Sequence, residues 1–440
     1  MIPTMTLTGK HIAILGAGRS GRAAAALALR EGATVSVWDL AGPAAFAGMP
    51  EAAELHPLAT EEIGRTVACD LLVVSPGIDT YGPYVAAFAA QAGEVIGEVE
   101  LAARFYQGII VATTGTNGKT TTTELVGRIL AKAGMGGTPC GNYGIPFAEV
   151  VLQDTPPPAV ALELSSFQLE TIRTLHPQVA IWLNFAPDHM DRYPTVEAYR
   201  DAKLRIFENQ TAADTAVIRA GEELPPLVAQ VVTFATTDDS AAWTSDGETL
   251  YHGGEMVLDL TKETSLRGLH NAENAMAAMA AGHALGIPFG VMAAALHGYA
   301  PPAHRCELIR TLDGVEYLND SKATNLHALE SALRSQTRPV VLLAGGKDKG
   351  LDYTPVLPLL RTKAVACITY GQIAAPLAEL FATAVTTHAV TTLAEAIAAA
   401  RPLAPRGSSI LLSPGTSSFD QFNGYEERGD LFRILVNQLR

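Results

Sequence analysis

Cysteine is scarce in this chain. The 440 residues include four cysteines, Cys69, Cys140, Cys306 and Cys367, which are widely separated and form no CxxC pair. This distribution is neither a disulfide framework nor a zinc-binding cluster, so a reducing, cytoplasmic setting fits best. The chain reaches a predicted strand at His11 without a basic segment followed by an apolar core, which argues against secretion.

Positive charge and long apolar runs are also in short supply. Lys and Arg number 31 against 45 Asp and Glu, a net charge of −14. No extended surface for nucleic acid or an anionic membrane is therefore expected, and any anionic ligand must be bound by local positive groups. The Ala-rich stretch from Ala275 to Leu296 is interrupted by His283, Gly286 and Pro288. We interpret it as a buried helix of a soluble protein and not as a membrane span.

The length of the chain predicts about three domains, since one core rarely serves so many residues. Short β-branched runs alternate with Ala-rich helical stretches, which is typical of open parallel sheets. A second unit begins just before Gly108, and Pro301-Pro302 reads as a linker to a third, because helices tend to end before proline. The predicted domains are therefore residues 1–107, 108–302 and 303–440.

Nine short segments and one hairpin are predicted to supply the strands. They are Ile12 to Leu15, Thr34 to Trp38 and Leu71 to Val74 in the first unit, Gly108 to Ala112, Ala159 to Leu164 and Val179 to Leu183 in the second, and a hairpin around Asp313-Gly314 followed by Val340 to Leu343, Val365 to Tyr370 and Ile410 to Leu412 in the third.

The most informative motif is the run from Gly115 to Thr120, which follows an apolar strand and precedes a predicted helix at Thr123 to Ala131. In such a turn, backbone N–H groups and the positive end of the helix dipole converge on one point, which suits a polyphosphate. Lys119 would neutralise phosphate charge and the Thr120 hydroxyl would bind Mg²⁺. Thr113 occupies the position of a usual glycine, so the match is to a shorter variant of the phosphate loop.

A second glycine-rich loop, Gly16 to Gly21, follows the first predicted strand, and Asp39 ends the next strand. Taken alone, this is the dinucleotide-binding fingerprint and indicates NAD. The glycines require only that a diphosphate approaches the backbone, so a nucleotide-sugar diphosphate satisfies the same physics. A structural turn without ligand is the remaining alternative.

Ionisable residues end the strands of the second unit. Glu163 is a candidate Mg²⁺ ligand, with an edge carboxylate or a helix cap as the alternative. His189, beside Asp188 and Asp191, is either a metal ligand or proton carrier or a structural histidine. Lys203 lies in a predicted helix from Val196 to Glu208, and its own sequence context predicts a solvated surface lysine.

The third unit carries polar loops after its predicted strands. Arg305 could reach a γ-phosphate, Asp320 could accept hydrogen bonds from ribose hydroxyls, and nearby lysines could hold carboxylates. Individually these are weak signals, because charged loops are usually only solvated. Ser413-Pro414-Gly415 ends a strand much as Ser75-Pro76-Gly77 does in the first unit.

Taken in order, the segments GTNGKT, ELSSFQLE, DHMDRY, AKLRIFEN, HNAENA and NDSKAT resemble those of the Mur ligase family. The resemblance spans nearly the whole chain and is strongest to members that add D-glutamate to UDP-N-acetylmuramoyl-L-alanine. It implies an α/β protein with a Rossmann-like N-terminal domain for the UDP-sugar and a central P-loop ATPase with a mainly parallel sheet. A Rossmann-like C-terminal domain would bind the amino acid and close over ATP.

Site residues follow from the same resemblance by motif. Those implied to bind ATP are Gly115, Thr116, Asn117, Gly118, Lys119, Thr120, Thr121, Asn271, Asn274, Arg305 and Asp320. Those implied to bind two Mg²⁺ ions are Thr120, Glu163, His189 and Lys203, the last as a carbamate. The UDP-sugar would contact Arg19, Ser20, Asp39, Ser75, Gly77 and Asn142, and the amino acid would contact Lys322, Thr324, Lys349, Ser418 and Tyr425. The catalytic set would be Lys119, His189, Lys203 and Arg305.

Two departures from the family pattern affect these expectations. Leu40-Ala41 follows Asp39 where some members use hydroxyl or basic residues for the uracil end, so the uridine contacts are not predicted. Ala186 replaces a commonly hydroxylated position before Asp188-His189, although the implied ligands are retained.

The implied reaction begins by activating a carboxylate, which is a poor electrophile. The carboxylate would attack the γ-phosphorus of ATP to give an acyl phosphate, and the D-glutamate amine would then displace phosphate. The base for the amine is not identifiable from sequence, with His189 as a candidate. Closure of the C-terminal domain near Pro302 should exclude water. We expect a monomer.

Three other functions fit part of the sequence. An NAD-dependent dehydrogenase fits the first glycine loop but leaves the phosphate loop unexplained. A non-catalytic nucleotide sensor would not need Glu163, His189 and Lys203 together. A sister ligase for another amino acid is the closest rival, because its ATP machinery would be the same.

Overall fold

The computed structural model describes residues 6–190, 192–236, 238–266, 268–300 and 303–440. Three β-sheets, each joined to helices by βα connections, lie one after another along the chain. Most strand pairs are parallel, which confirms the predicted α/β class. The predicted linker Pro301-Pro302 lies outside the described residues, as does Asp191.

The first sheet contains five strands in the order β3-β2-β1-β4-β5, all parallel. Its order reverses between β1 and β4, where ligands collect in sheets of this type. The predicted strands are confirmed in position, while β3 and β5 were not predicted. The elements are β1 (His11–Leu15), α1 (Arg19–Arg30), β2 (Thr34–Asp39), β3 (Glu54–Pro57), α2 (Glu61–Gly64), β4 (Leu71–Val74), α3 (Pro83–Ala89), β5 (Val95–Gly97) and α4 (Glu98–Ala103).

The second sheet has nine strands in the order β14-β13-β12-β11-β10-β9-β6-β8-β7. It is parallel from β7 to β12 and ends in an antiparallel meander, β12 to β14. The elements are β6 (Ile109–Thr114), α5 (Lys119–Lys132), β7 (Gly136–Gly141), α6 (Phe147–Val151), β8 (Ala159–Glu163), α7 (Ser166–Leu169), β9 (Val179–Trp182), α8 (Val196–Leu204), β10 (Thr215–Arg219), β11 (Gln230–Ala235), β12 (Trp243–Ser245), β13 (Thr249–His252), β14 (Glu255–Asp259), α9 (Leu260–Glu263), α10 (Leu269–Ala284) and α11 (Phe289–Leu296).

Two helix predictions need correction. The Ala-rich stretch forms two helices and not one, because Gly286 adopts a φ of +74° and Pro288 caps α11. The helix from Val196 ends at Leu204, and the chain continues as a 3-10 turn, Arg205–Phe207. Across the described ranges, no helix has the length and apolar character needed to cross a membrane.

The third sheet has six strands in the order β15-β16-β20-β17-β18-β19, parallel except for the β15–β16 hairpin. The hairpin and the three predicted strands are confirmed in position. The elements are β15 (Glu307–Leu312), β16 (Val315–Asn319), α12 (Leu326–Arg334), β17 (Val340–Gly345), α13 (Leu357–Lys363), β18 (Ala364–Tyr370), α14 (Ala374–Phe381), β19 (Thr387–Ala389), α15 (Leu393–Ala400), β20 (Ser409–Leu412) and α16 (Tyr425–Gln438).

Contacts divide the chain into two compact units. The first runs to Glu263 and includes Asn271–His297, and the second contains Thr264–His270 and Gly298–Arg440. Within the first unit one hydrophobic core continues from the first sheet into the second. Buried carboxylates on α4 reinforce that junction: Glu98 accepts the Ala148 N–H at 2.6 Å, and Glu100 accepts the backbone N–H groups of residues 173–175. The three-domain boundaries stay a prediction.

Candidate active site

Two glycines shape the loop between β6 and α5. Gly115 has a φ of +151° and Gly118 a φ of +84°, conformations that disfavour side chains. A Cβ on Gly118 would also lie 2.3 Å from Asn274 Oδ1. Only glycine therefore lets the backbone turn here and start α5 at Lys119, with its N-terminus at the carboxyl edge of the sheet.

Asn184, two residues beyond β9, holds this loop. Its carbonyl accepts the Thr116 N–H at 3.0 Å, its Oδ1 accepts the Asn117 N–H at 2.9 Å, and its Nδ2 donates to the Asn117 carbonyl at 3.1 Å. Asn184 was not predicted as a site residue. The available signal was its position, a polar residue at the carboxyl end of a buried strand.

Two lysines meet at the carbonyl of Gly115. Lys119 Nζ donates to the Gly115 and Thr116 carbonyls, both at 2.9 Å, and Lys203 Nζ donates to the Gly115 carbonyl at 2.9 Å. Lys203 is only 2% exposed, and its Nζ lies 4.8 Å from the Tyr199 ring centroid. The interpretation of Lys203 as a solvated lysine is therefore wrong.

Burial and the neighbouring Lys119 hold the pKa of Lys203 well below its ordinary value. The carboxylates of Asp188 and Glu163 oppose this lowering of the pKa, so Lys203 lies near one other cation and two carboxylates. A lysine with a lowered pKa carries a larger fraction of neutral amine, the nucleophilic form. Asp188 is a member of this cluster that the predicted site did not include.

Glu163 ends β8 and is 2% exposed. Its Oε1 accepts from Asn142 Nδ2 at 2.7 Å, while its Oε2 is buried with no hydrogen-bond partner among the described residues. The helix-cap alternative is wrong, because Ser165 caps α7 in a capping box with Gln168. A buried carboxylate oxygen without a donor fits a cation ligand.

The donor set fits Mg²⁺ bound together with phosphate. Within the described ranges, no group of three or more His, Cys, Asp or Glu side chains could hold a metal by itself. Mg²⁺ is commonly bound by one or two carboxylates plus substrate phosphates, so a complete protein cage is not required. Thr120, at the first turn of α5, lies on the loop that would place those phosphates.

His189 has a φ of +57°, which is strained for a residue with a side chain. Its N–H donates to Asp188 Oδ1 at 2.8 Å. Its ring packs edge-on against Phe167, with centroids 4.9 Å apart, and against Tyr199 at 5.9 Å. The imidazole therefore packs against Tyr199, which lies on the same helix, α8, as Lys203, and 43% of the His189 side chain is exposed.

Asn271 and Asn274 are buried on α10, beside the phosphate-loop helix. Asn274 Oδ1 accepts from Thr122 Oγ1 at 3.3 Å, and Asn274 Nδ2 donates to Asn271 Oδ1 at 3.4 Å. Thr121 is also buried on α5. These contacts join the two amides implied to bind nucleotide to α5, the helix that follows the phosphate loop.

The first glycine loop is built on Asp39 and Ser75. Asp39 accepts the N–H groups of Ala17 at 2.7 Å and Ala41 at 2.8 Å, so its carboxylate shapes the loop. Gly16 has a φ of +101°, and a Cβ there would lie 2.7 Å from Ser75 Oγ. The dense packing explains why this loop needs glycine.

The other residues implied for the UDP-sugar lie around this loop. Arg19 Nη2 donates to the Gly144 carbonyl at 3.2 Å and so bridges to the segment that carries Asn142. Ser20 is half-buried on α1, and Gly77 is exposed beyond β4. Within the first unit, Arg19 therefore links the first glycine loop to the segment whose Asn142 hydrogen-bonds Glu163.

In the second unit, Asp320 follows β16 and is buried. It accepts the Cys306 N–H at 3.1 Å and the Ser413 hydroxyl at 2.9 Å. Burial raises its pKa to about 7, with Ser413, Cys306 and Arg305 opposing. Arg305 Nε is buried without a hydrogen-bond partner among the described residues.

Four of the residues implied to bind the amino acid form two contacting pairs. Lys322 Nζ donates to the Tyr425 hydroxyl at 2.8 Å, and Lys349 Nζ reaches the Thr324 carbonyl at 3.5 Å. Ser418 is 2% exposed in the loop before α16. Arg428, which was not predicted, is completely buried and binds Ser321 and Thr416.

This fold and site define a nucleotide-dependent ligase, and the chain belongs to the Mur ligase family. Family models match at residues 10–97 (Mur ligase MurD-like, N-terminal domain), 113–282 (Mur ligase middle domain) and 304–415 (Mur ligase, glutamate ligase domain). These enzymes use ATP and Mg²⁺.

Curated relatives match over the full length. UDP-N-acetylmuramoylalanine--D-glutamate ligase of Myxococcus xanthus (strain DK1622) is 40% identical, covering 99% of this chain and all of that protein. The enzyme of the same name from Geotalea uraniireducens (strain Rf4) is 40% identical, covering 99% of both chains.

A solved structure agrees on the fold. UDP-N-acetylmuramate-alanine ligase MurC from Thermotoga maritima superposes with a TM-score of 0.60 at 18% identity, covering 97% of this chain and 99% of that one. At this identity the likeness shows the architecture alone.

Proposed function

We propose that this chain is the ATP-dependent, ADP-forming ligase that adds D-glutamate to UDP-N-acetylmuramoyl-L-alanine in peptidoglycan precursor synthesis. The observation that carries the chemistry is the meeting of Lys119, Lys203 and Glu163 around the phosphate loop. The choice of substrates rests on the full-length relatives named for that reaction. A cytoplasmic location is part of this proposal, because the proposed substrate is linked to a nucleotide.

Activation of the substrate carboxylate is the step that these residues serve. A carboxylate oxygen attacks the γ-phosphorus of ATP, ADP leaves, and an acyl phosphate forms. The D-glutamate amine then attacks the acyl carbon, phosphate leaves, and an amide bond remains. Lys119 offsets phosphate charge at the start of α5, where the backbone and helix dipole favour anions.

The residues that would hold Mg²⁺ are Thr120, Glu163, His189 and a carbamylated Lys203. Bound there, Mg²⁺ would supply positive charge against the transferring phosphoryl group. Carbamylation requires the neutral amine: its nitrogen forms a bond to CO₂ and releases one proton. The lowered pKa of Lys203 supports this step, because it increases the neutral fraction. Carbon-13 NMR in labelled bicarbonate would detect the carbamate.

The roles of residues in the second unit are also predictions, based on their match to the family motifs. Arg305 and Asp320 are proposed to serve ATP, and Lys322, Thr324, Lys349, Ser418 and Tyr425 to serve the incoming amino acid. The contacts of Lys322 with Tyr425 and of Lys349 with Thr324 support the second assignment.

The test is phosphate release from ATP and Mg²⁺ with UDP-N-acetylmuramoyl-L-alanine, compared among D-glutamate, L-glutamate, L-lysine and no amino acid. We expect release that depends on both the UDP-sugar and D-glutamate. Release with another amino acid instead would identify a sister ligase. No release in any arm, together with NADH binding, would overturn the proposal in favour of a dehydrogenase.

A further inference from the structure

Arg192 holds the segment that follows β4, residues 76–80. Its Nη1 donates to the Pro76 carbonyl at 3.2 Å, and its Nη2 donates to the Ile78 carbonyl at 2.9 Å and to Thr80 Oγ1 at 3.4 Å. Its Nε lies 3.9 Å from Asp79 Oδ1. One guanidinium therefore contacts four positions of a single loop, which begins one residue after Ser75.

The other side of Arg192 is fixed to the metal-ligand region. Its guanidinium carbon lies 3.9 Å from the Phe167 ring centroid, and its Nη2 lies 3.3 Å from Glu170 Oε2. Glu170 also accepts the Tyr193 hydroxyl at 2.5 Å. The same Phe167 ring packs edge-on against His189. Arg192 thus connects the loop after β4 to the ring that supports His189.

We propose that Arg192 is a positioning residue that holds the UDP-sugar loop, Ser75 to Thr80, at a fixed distance from the phosphate-transfer site. The inference rests on the proposed function, in which Ser75 and Gly77 line the sugar. Arginine suits this task because its planar fork offers five donors in fixed directions. Without that fork the sugar loop would lose its fixed position, so binding of the UDP-sugar should weaken while ATP binding at the phosphate loop is retained.

Arg205 provides a matched control. It donates to the Glu170 and Ile172 carbonyls and pairs with Glu208 at 2.9 Å, so it supports the same end of α7. Its recorded hydrogen bonds in the described ranges do not include residues 76–80. A purely structural role at α7 would therefore make Arg192 and Arg205 equivalent.

The experiment measures KM for UDP-N-acetylmuramoyl-L-alanine and for ATP in the wild type, Arg192→Gln, Arg192→Lys and Arg205→Gln. We expect Arg192→Gln to raise KM for the UDP-sugar at least ten-fold while KM for ATP stays within two-fold. Arg192→Lys should lie between, because one ammonium can replace only part of the fork. Arg205→Gln should leave both KM values within two-fold.

Equal effects on both substrates, or equal effects of Arg192→Gln and Arg205→Gln, would overturn the proposal. If Arg192→Gln does not fold, Arg192→Lys decides instead: its KM for the UDP-sugar should rise relative to wild type, while its KM for ATP should stay within two-fold. Calorimetric measurement of UDP-sugar binding distinguishes failure of the proposed function from failure of the positioning role of Arg192. A wild type that binds the sugar without turnover sinks the proposed function, while the affinity loss in Arg192→Gln still tests the positioning role. A wild type that does not bind the sugar sinks both.

Discussion

Two buried basic side chains, Arg428 and Lys203, differ in how fully their hydrogen-bond donors are satisfied. Arg428 is fully buried and donates to Ser321 Oγ at 2.9 Å, to the Ser321 carbonyl at 2.7 Å and to the Thr416 carbonyl at 3.3 and 3.4 Å. Lys203 is 2% exposed, yet among the described residues its ammonium has one hydrogen bond, to Gly115. A buried charge whose donors are satisfied stabilises its surroundings, whereas a poorly satisfied one costs free energy and marks a functional site.

The groups that surround Arg428 and Lys203 also differ. Arg428 lies among carbonyl and hydroxyl oxygens, and its fork joins the loop after β16 to the loop after β20. Lys203 lies near a second cation, Lys119, and burial with that neighbour lowers its pKa. We therefore expect Arg428 to support the fold and Lys203 to support the reaction.

The largest expected effect is loss of turnover in Lys203→Met. Removing the amine should lower kcat by about 10³-fold, because the site loses the group proposed to hold Mg²⁺ as a carbamate. The free energy of unfolding in urea should be unchanged or higher, since a poorly satisfied buried charge is gone. A variant that keeps more than a tenth of the activity would break the comparison.

The next prediction concerns Arg428→Met. This variant should lose stability, whereas Lys203→Met should lose turnover. The Ser321 and Thr416 carbonyls would lose their buried donor, so we expect the free energy of unfolding to drop by about 2–5 kcal/mol. Urea denaturation followed by circular dichroism measures this drop. A variant as stable as the wild type would show that Arg428 is not the structural member of the pair.

Glu163→Gln extends the comparison of buried charged groups from the two cations to a carboxylate. The amide can keep the hydrogen bond to Asn142, but the unpartnered Oε2 loses its charge. We expect kcat to fall by about 10²-fold and the Mg²⁺ concentration for half-maximal rate to rise at least ten-fold. Glu222, which accepts from Trp182 Nε1 at 2.9 Å, is the control. Glu222→Gln should change both quantities less than two-fold, and an equal response would contradict the assignment.

The smallest expected effect is a pH-dependent gain of stability in Asp320→Asn. Burial raises the pKa of Asp320 from 3.8 to about 7, so the folded state retains a proton that the unfolded state loses between these values. Wild-type stability should therefore fall as pH rises through that window. The asparagine variant should lack this fall and gain on the order of 1–3 kcal/mol relative to wild type above about pH 7. If the free energies of unfolding of the wild type and Asp320→Asn, measured in urea, change in parallel between these two pH values, this prediction is wrong.

Sequence predicted the parts of this site that depend on local backbone shape. The phosphate loop was predictable because Gly115 and Gly118 occupy conformations that exclude other residues, and strand ends located Glu163 and Asp39. Strand β7 was not predictable, since Gly136 to Gly141 is rich in residues that disfavour strands. It forms because it lies at the edge of the sheet against β8, where Pro139 is tolerated.

Residues whose role depends on distant partners were missed or misread. Lys203 was read as solvated, although Tyr199, Ala202, Lys203 and Ile206 follow helical spacing on one buried face. That apolar stripe was the available signal. Asn184, Arg192 and Arg428 act on loops far from them in the chain, and only the folded structure brings those partners together.

Isotope transfer tests the central claim, activation of a carboxylate by phosphoryl transfer, most directly. UDP-N-acetylmuramoyl-L-alanine labelled with ¹⁸O in its terminal carboxylate would be incubated with ATP, Mg²⁺ and D-glutamate, and the released phosphate analysed by mass spectrometry. We predict one ¹⁸O atom in each phosphate, because the bridging oxygen of the acyl phosphate leaves with it. Phosphate without label alongside amide product would contradict the account.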